Sequence, residues 1–314
     1  MTKETLPSVF LERFQKIIPE DYFDASVRTF WRDRPLSVRV NSLKVSKEKI
    51  VSLLESRQIS FSPVSWYADA LVVDGAHLRN SMGNKFIDEG LLYIQSLSSM
   101  LPALVLNPQS GERVLDMCAA PGGKTTQMAA LMKNQGGIVA VEPIRDRFYR
   151  LKSVVAQLGA DIVTFKRLDA RRWRFGDGAF DKILIDAPCS SEGRFHTNEP
   201  KTFAYWSLRK IKEMARKQRG LLLTASRILK PGGVLVYSTC TFAPEENEGT
   251  IDWLLRKTGG SLKVMPVHFQ GVKTYAAVGW WQGKKFNEQV KYCVRVLPEE
   301  QMEGFFMAKL IKAP

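Results

Sequence analysis

The sequence predicts an α/β protein. A small α+β domain over residues 1–105 precedes a doubly wound sheet over residues 106–314, parallel until an antiparallel terminal hairpin. Three observations predict it. From Gly111 onward, apolar strand-like runs alternate with helical stretches, the pattern of parallel strands joined by crossover helices. The last two strand-like runs, "KYCVRVLP" and "GFFMAKLI", are separated by only a few residues, which suits a hairpin and not a crossover. Before Gly111 that regular alternation is missing.

Along the small domain, Phe10, Leu11, Phe14, Ile17 and Ile18 recur at helical spacing, so residues 1–25 read as helix. "LSVRVNSL" alternates as a strand, and "SKEKIVSLLESRQ" follows as a helix with Ser46 as its N-cap. "ALVVDG" reads as a second strand, and "GLLYIQSLSSMLPALVLNP" as a helical connector. In the second domain "RVLDMCA", "GGIVAVEP", "DIVTFKRLDA", "FDKILIDAP" and "GGVLVYSTC" are strands. "KTTQMAALM", "DRFYRLKSVVAQLG", a long helix near 207–229 and "EENEGTIDWLLRKTG" lie between or after them. No repeat or low-complexity linker interrupts the chain.

A length of 314 residues with 45% hydrophobic residues supports a sizeable core. The formal charge of +14 points to a polyanionic partner, nucleic acid before an anionic membrane. The four cysteines (Cys118, Cys189, Cys240, Cys293) stand singly, and His77, His196 and His268 are far apart, so neither a zinc site nor a disulfide framework is expected. "MTKETLPSVF" lacks a signal peptide's apolar stretch, and no apolar run is long enough to span a membrane. A soluble protein in the reducing cytoplasm, with free thiols, is the expectation.

Open α/β sheets bind ligands beyond the carboxyl ends of their strands. The chemically distinctive residues gather there: Asp116 and "CAAPGGKT", then Glu142, Asp169, Asp186 with Cys189, and Cys240. "CAAPGGKTT" is glycine-rich and opens a helix, so its backbone can offer N–H groups to an anion. It is not a P-loop, because Cys118 stands where the first glycine belongs, and the dinucleotide fingerprint is also absent. Glu142 is placed to hold a ribose diol, which fits NAD and S-adenosylmethionine alike. The terminal hairpin after five parallel strands favours a methyltransferase sheet over a dehydrogenase.

"LDMCAAPGGKT", "DAPCSSEG", "YSTCT" and "EGFFMAKL" together resemble the Sun/NSUN (RsmF/RsmB-like) RNA cytosine-5 methyltransferases. "SVRVNSLK" and "YIQSLSSMLPAL" carry the resemblance into the small domain, so it covers nearly the whole chain. It implies a Rossmann-like methyltransferase sheet and an RRM-like amino-terminal RNA-binding module, though the aromatic signature of a base-stacking RRM is missing. It implies S-adenosylmethionine as cofactor. Cys118, Ala119, Ala120, Pro121, Gly122, Gly123, Lys124, Glu142, Arg147, Asp169 and Asp186 would line its pocket. Cys240 matches the nucleophile, Cys189 the cysteine of product release, and Lys124 joins the catalytic group. Several relatives carry Asp at the place of Glu142, and with "GFFMAKLIKAP" as the last stretch the additional carboxyl-terminal domains of some relatives are not expected. Monomeric action without metal is expected, with ribosomal RNA slightly favoured over transfer RNA by "EGFF" and "SSEG".

Two thiols suit the chemistry. Carbon 5 of cytosine becomes nucleophilic only after a thiolate adds to carbon 6, which is covalent catalysis. Asp186 is the candidate for the N3 contact that offsets the developing charge. Cys189 would then help to expel Cys240. The target base must be unpaired or flipped out. Arg28 to Arg39, "RLDARRWR" (167–174), "RKIKEMARKQR" (209–219) and Lys284–Lys285 are candidate backbone contacts. Residues 190–206 read as an active-site lid, with His196 as a surface residue in it. A DNA cytosine methyltransferase would share the Pro-Cys pair but lack the second "TC" thiol, and an inactive RNA-binding assembly factor would not need the intact catalytic positions.

Overall fold

The computed structural model describes residues 6–78, 81–173, 176 and 179–314. Two helices, α1 (Ser8–Ile17) and α2 (Glu20–Arg28), replace the single amino-terminal helix expected. The cause is Pro19, which disfavours helical geometry at Ile18, and Ile18 is indeed extended (ψ 137°). A βαββαβ unit follows: β1 (Leu36–Val40), α3 (Lys47–Ser56), β2 (Phe61–Pro63), β3 (Ala70–Val73), α4 (Gly75–Leu78), α5 (Ser81–Asp88) and β4 (Leu92–Ile94). Its four-stranded antiparallel sheet runs β2-β3-β1-β4. Ser46 caps α3 as expected, accepting from the Lys49 N–H at 3.3 Å. Val38, Val40, Ile50, Leu54, Leu71 and Leu92 form this unit's core.

Helix α6 (Leu97–Leu106) connects the two sheets and is itself core, with eight of its ten residues buried. The larger body then alternates β5 (Arg113–Asp116), α7 (Gly123–Leu131), β6 (Gly137–Val141), α8 (Arg145–Leu158), β7 (Val163–Lys166), β8 (Phe180–Asp186), α9 (Leu208–Ile228), β9 (Leu229–Thr239) and α10 (Glu248–Thr258). It finishes with β10 (Leu262–Met265), β11 (Thr274–Ala276), the small hairpin β12 (Trp280–Trp281) and β13 (Lys284–Lys285), then β14 (Val294–Val296) and β15 (Phe305–Lys312). The sheet order is β11-β14-β15-β9-β8-β5-β6-β7, with β10 on β15. Strands β7, β6, β5, β8 and β9 are parallel, and β15 inserts antiparallel against β9. Ile183, Leu184 and Ile185 are all fully buried, as a parallel strand covered on both faces requires.

The first two helices pack with the larger sheet, not with the four-stranded one. Phe10 and Phe14 join Phe195 and Phe242 in one core, with Phe14 and Phe242 rings 4.7 Å apart. Arg13 pairs with Glu245 at 2.7 Å beside them. Among the described residues, no helix is long and apolar enough to cross a membrane.

Candidate active site

A cleft of about 830 Å³ lies over the carboxyl ends of β5, β6, β7, β8 and β9. Cys118, Ala119, Ala120, Pro121, Gly123, Lys124, Glu142, Arg147, Asp169, Asp186, Cys189 and Cys240 all line it. Gly122 is the expected residue that does not. It turns the chain into α7 at φ 118°, and its Cα faces α8, where a Cβ would come within 3.1 Å of Val154. Its role is to begin the helix and aim the helix N-terminus at the cleft, where backbone N–H groups favour an anion.

On one side of the cleft, buried Glu142 accepts the Ile144 N–H at 2.9 Å and faces Arg147 at 3.4 Å, while Arg147 also donates to the Ala120 carbonyl at 2.9 Å. Asp169 holds both the backbone N–H and the guanidinium of Arg171, and these contacts keep its carboxyl below the usual range. Buried Asp116 is pushed up to about 6 by burial, against a 2.7 Å bond from Thr125.

On the other side, the Cys189 and Cys240 sulfurs stand 3.3 Å apart. The hydrogen bond from the Cys189 thiol lowers the Cys240 pKa, with the Arg194 charge acting in the same direction. The same bond and burial push Cys189 well up. With Cys189 as the donor, the shared proton favours thiolate character at Cys240 over Cys189. Asp186 is fixed from two directions. Lys124 approaches one carboxylate oxygen at 2.7 Å, and the Ser238 hydroxyl donates to the other at 2.8 Å. The Lys124 ammonium also donates to Ser99 at 2.6 Å, which anchors it to the start of α6.

Behind the thiols, two buried carboxyls tie their loops together. Glu246 accepts the Ser190 N–H at 3.1 Å and the Gln218 amide at 2.7 Å. The Ser190 and Thr241 hydroxyls are 2.7 Å apart, and Thr241 donates to Glu192 at 2.8 Å. Burial pushes Glu246 up to about 8. Between the ordinary carboxyl value of about 4.3 and that value, the folded chain keeps a proton that the unfolded chain has lost. The Glu246 contribution therefore lowers stability as pH rises through this window. In melting curves, Glu246→Gln should gain on the parent protein from acid to pH 8, and parallel curves would contradict the shifted carboxyl.

Several functional side chains escaped the sequence reading. Arg194, Ser191, Ser99 and Glu303 line the cleft, and each comes from an irregular segment or a helix start that carries no periodic signal. The "SSEG" and "EGFF" glycines do have a legible reason. The Gly193 N–H donates to the Cys240 carbonyl at 2.9 Å, and a Cβ there would stand 2.2 Å from the Gly304 carbonyl oxygen. Only backbone fits between the two loops.

The 190–206 segment borders the cleft through Ser191 and Arg194, as an active-site segment should, and it is well anchored: Phe195 is fully buried, Trp206 donates to Glu192 at 2.8 Å, and the Thr197 N–H donates to the Phe30 carbonyl at 2.8 Å. Two expectations need correction. His196 is not a surface residue, since its side chain is 12% exposed and lies 3.2 Å from Asp33. Arg39 is unavailable to RNA, being fully buried and donating to Gln95 at 3.1 Å and to Thr126 at 2.9 Å. Of the other basic stretches, Lys217 pairs with Glu213 at 2.8 Å and Lys284 with buried Asp252 at 2.9 Å. Arg174 lies outside the described residues. Among the described residues, no group of three or more His, Cys, Asp or Glu is placed to hold a metal.

The sequence model of the 16S rRNA methyltransferase RsmB/F family matches residues 103–311, and that of the RsmF/B-like ferredoxin-like domain matches residues 6–78. The chain is 37% identical to a tRNA (cytosine(49)-C(5))-methyltransferase of Pyrococcus abyssi, over 96% of this chain and 95% of that one. It is 36% identical to ribosomal RNA small subunit methyltransferase F of Serratia proteamaculans, over 98% of this chain but 63% of that protein. A methyltransferase homologue of Pyrococcus horikoshii, 30% identical, superposes with a TM-score of 0.78 over 98% of this chain and all of its own. The chain therefore belongs to the Sun/NSUN (RsmB/F) family of S-adenosylmethionine-dependent RNA cytosine-C5 methyltransferases.

Proposed function

We propose that this chain methylates carbon 5 of a cytidine in structured RNA, with Cys240 bonding covalently to carbon 6 and Cys189 assisting its release. The observation that carries the reading is the thiol pair, 3.3 Å apart, beside an aspartate held by a lysine. The Cys240 thiolate adds to carbon 6, N3 takes a proton relayed from the Lys124 ammonium through Asp186, and carbon 5 becomes enamine-like and nucleophilic. Once carbon 5 carries the methyl group, its proton must leave before the carbon 6–sulfur bond can break. Cys189 takes part in that elimination, directly or through water, and Cys240 departs as thiolate.

S-adenosylmethionine fits the other half of the cleft and, when bound, supplies an electrophilic methyl group. Glu142 and Asp169 have the chemistry to accept from ribose and adenine, and the start of α7 offers N–H groups to a carboxylate. Glu142→Ala should weaken S-adenosylmethionine binding at least tenfold, about 1.4 kcal/mol, through loss of a charged hydrogen-bond acceptor. Calorimetry returning the parent affinity would remove Glu142 from the pocket.

The remaining assignments follow from the same cleft. Action as a monomer is assigned to the chain. The four cysteines are free, which suits a reducing cytoplasm. Residues 1–105 are assigned to holding RNA and 106–314 to catalysis. Ribosomal RNA is the first substrate to test, from the "EGFF" and "SSEG" motifs. Transfer RNA is the second, because the Pyrococcus abyssi relative, matched over 95% of its length, carries a tRNA name. The experiment is transfer of a labelled methyl group into each RNA pool, followed by mapping of the modified nucleotide. Label in both pools only at nucleosides other than cytidine would overturn the assignment.

A further inference from the structure

A second cleft, of about 850 Å³, opens beside the catalytic one. It is lined by the 28–35 segment, by Trp66 and by Lys273. We propose that this cleft holds the phosphodiester backbone of the RNA strand flanking the target cytidine, with Arg34 as the phosphate contact where the two clefts meet. The inference rests on the RNA reading above and adds the path of the strand.

The charge balance favours a polyanion. Four cations, Arg28, Arg32, Arg34 and Lys273, face three carboxylates, and every carboxylate has a partner. Arg32 pairs with Glu300 at 3.4 Å, Lys273 with Glu299 at 3.4 Å, and Asp33 lies 3.2 Å from His196. Arg28 is exposed, and among the described residues it has no ion-pair partner. Arg34 is more informative. Its Nε and Nη2 are shut off from solvent, and neither has a hydrogen-bond partner. Buried donors without acceptors are costly, so a guanidinium in this state gives up no hydrogen bond when it turns toward a ligand. A phosphate offers two oxygens as the bidentate acceptor that this planar guanidinium lacks.

Arg34 also marks the junction. Leu97 and Met302 line the second cleft while their chain neighbours Ser96 and Glu303 line the catalytic one, so the two clefts meet there, and Arg34 feels the charges of Glu303 and Arg194 on the catalytic side. A strand lying in the second cleft and passing over Arg34 would therefore bring its next nucleotides toward Cys240. Half-buried Trp66 offers an aromatic face on the way, a surface on which bases stack without sequence preference. A purely structural Arg34 would be expected to hold its neighbours by hydrogen bonds, and it makes none among the described residues.

The test uses the full chain and a fluorescent single-stranded oligoribonucleotide long enough to cross both clefts, titrated at several salt concentrations. Arg34→Met should weaken binding about tenfold, and its log–log salt slope should shrink by about 0.7, the loss of one phosphate contact on a single strand. Arg34→Lys should keep the slope. Arg28→Met, on the surface and free of packing, should also shrink it. S-adenosylmethionine affinity by calorimetry should stay at the parent value in all three. Unchanged slopes in both Met variants overturn the proposal, and so does weaker binding with an unchanged slope. A parent protein that binds the oligonucleotide with this salt dependence but methylates no RNA would instead contradict the enzymatic reading, so the two fail separately.

Discussion

Cys189→Ala is expected to leave the protein joined to RNA through a bond that survives denaturing electrophoresis, while Cys240→Ala forms no such adduct and transfers no methyl group. The asymmetry follows from the shared proton. With the two sulfurs 3.3 Å apart, a proton held on Cys189 lowers the pKa of Cys240 and raises that of Cys189. Only the sulfur that holds thiolate character attacks well near neutral pH. Removing Cys189 takes away that donor but leaves the Arg194 charge acting on Cys240, so attack continues more slowly while release fails. The double variant should show no adduct, because the order of events is sequential. An adduct in Cys240→Ala and none in Cys189→Ala would reverse the two roles.

The next largest effect is expected at Asp186. Asp186→Ala should reduce methyl transfer by about 10²–10⁴-fold, the usual range for loss of a positioned acid or base. Affinity for S-adenosylmethionine should change far less. Lys124→Met should also slow the reaction, since its ammonium holds one Asp186 oxygen at 2.7 Å and is itself tied to Ser99. The two residues act as a unit, so the double variant should lose little more than Asp186→Ala alone. Additive losses measured in a double-mutant cycle would show that Lys124 works apart from Asp186.

Much of this site was legible because its residues follow strands. Asp116, Glu142, Asp186 and Cys240 each sit at or just past a buried apolar run, and the parallel alternation puts all such ends on one side. The sequence also read the antiparallel finish correctly, from the short spacing before β15. What escaped it was short or non-local. Strands β2, β4 and β11 have three residues each, too few to show alternation, and β10 alternates over only four. The docking of α1 on the Cys240 loop depends on Phe14 meeting Phe242, far along the chain, and no local pattern announces that. Arg39 looked like one more surface cation, yet it is the buried link from β1 to α7. Arg194 belongs to a segment held by Glu192, Gly193 and Phe195, whose order is visible only once the Cys240 loop is folded against it.

The central claim is that Cys240 is the atom source of the covalent bond to RNA. The direct measurement uses substrate RNA carrying 5-fluorocytidine, whose carbon 5 has fluorine in place of the proton that must leave. Incubated with the parent protein and S-adenosylmethionine, this RNA should remain attached, because elimination is blocked after attack. Digestion and mass spectrometry should then find the nucleotide on the peptide containing Cys240. Attachment at Cys189, or no attached RNA from a protein that methylates the ordinary substrate, would contradict the account.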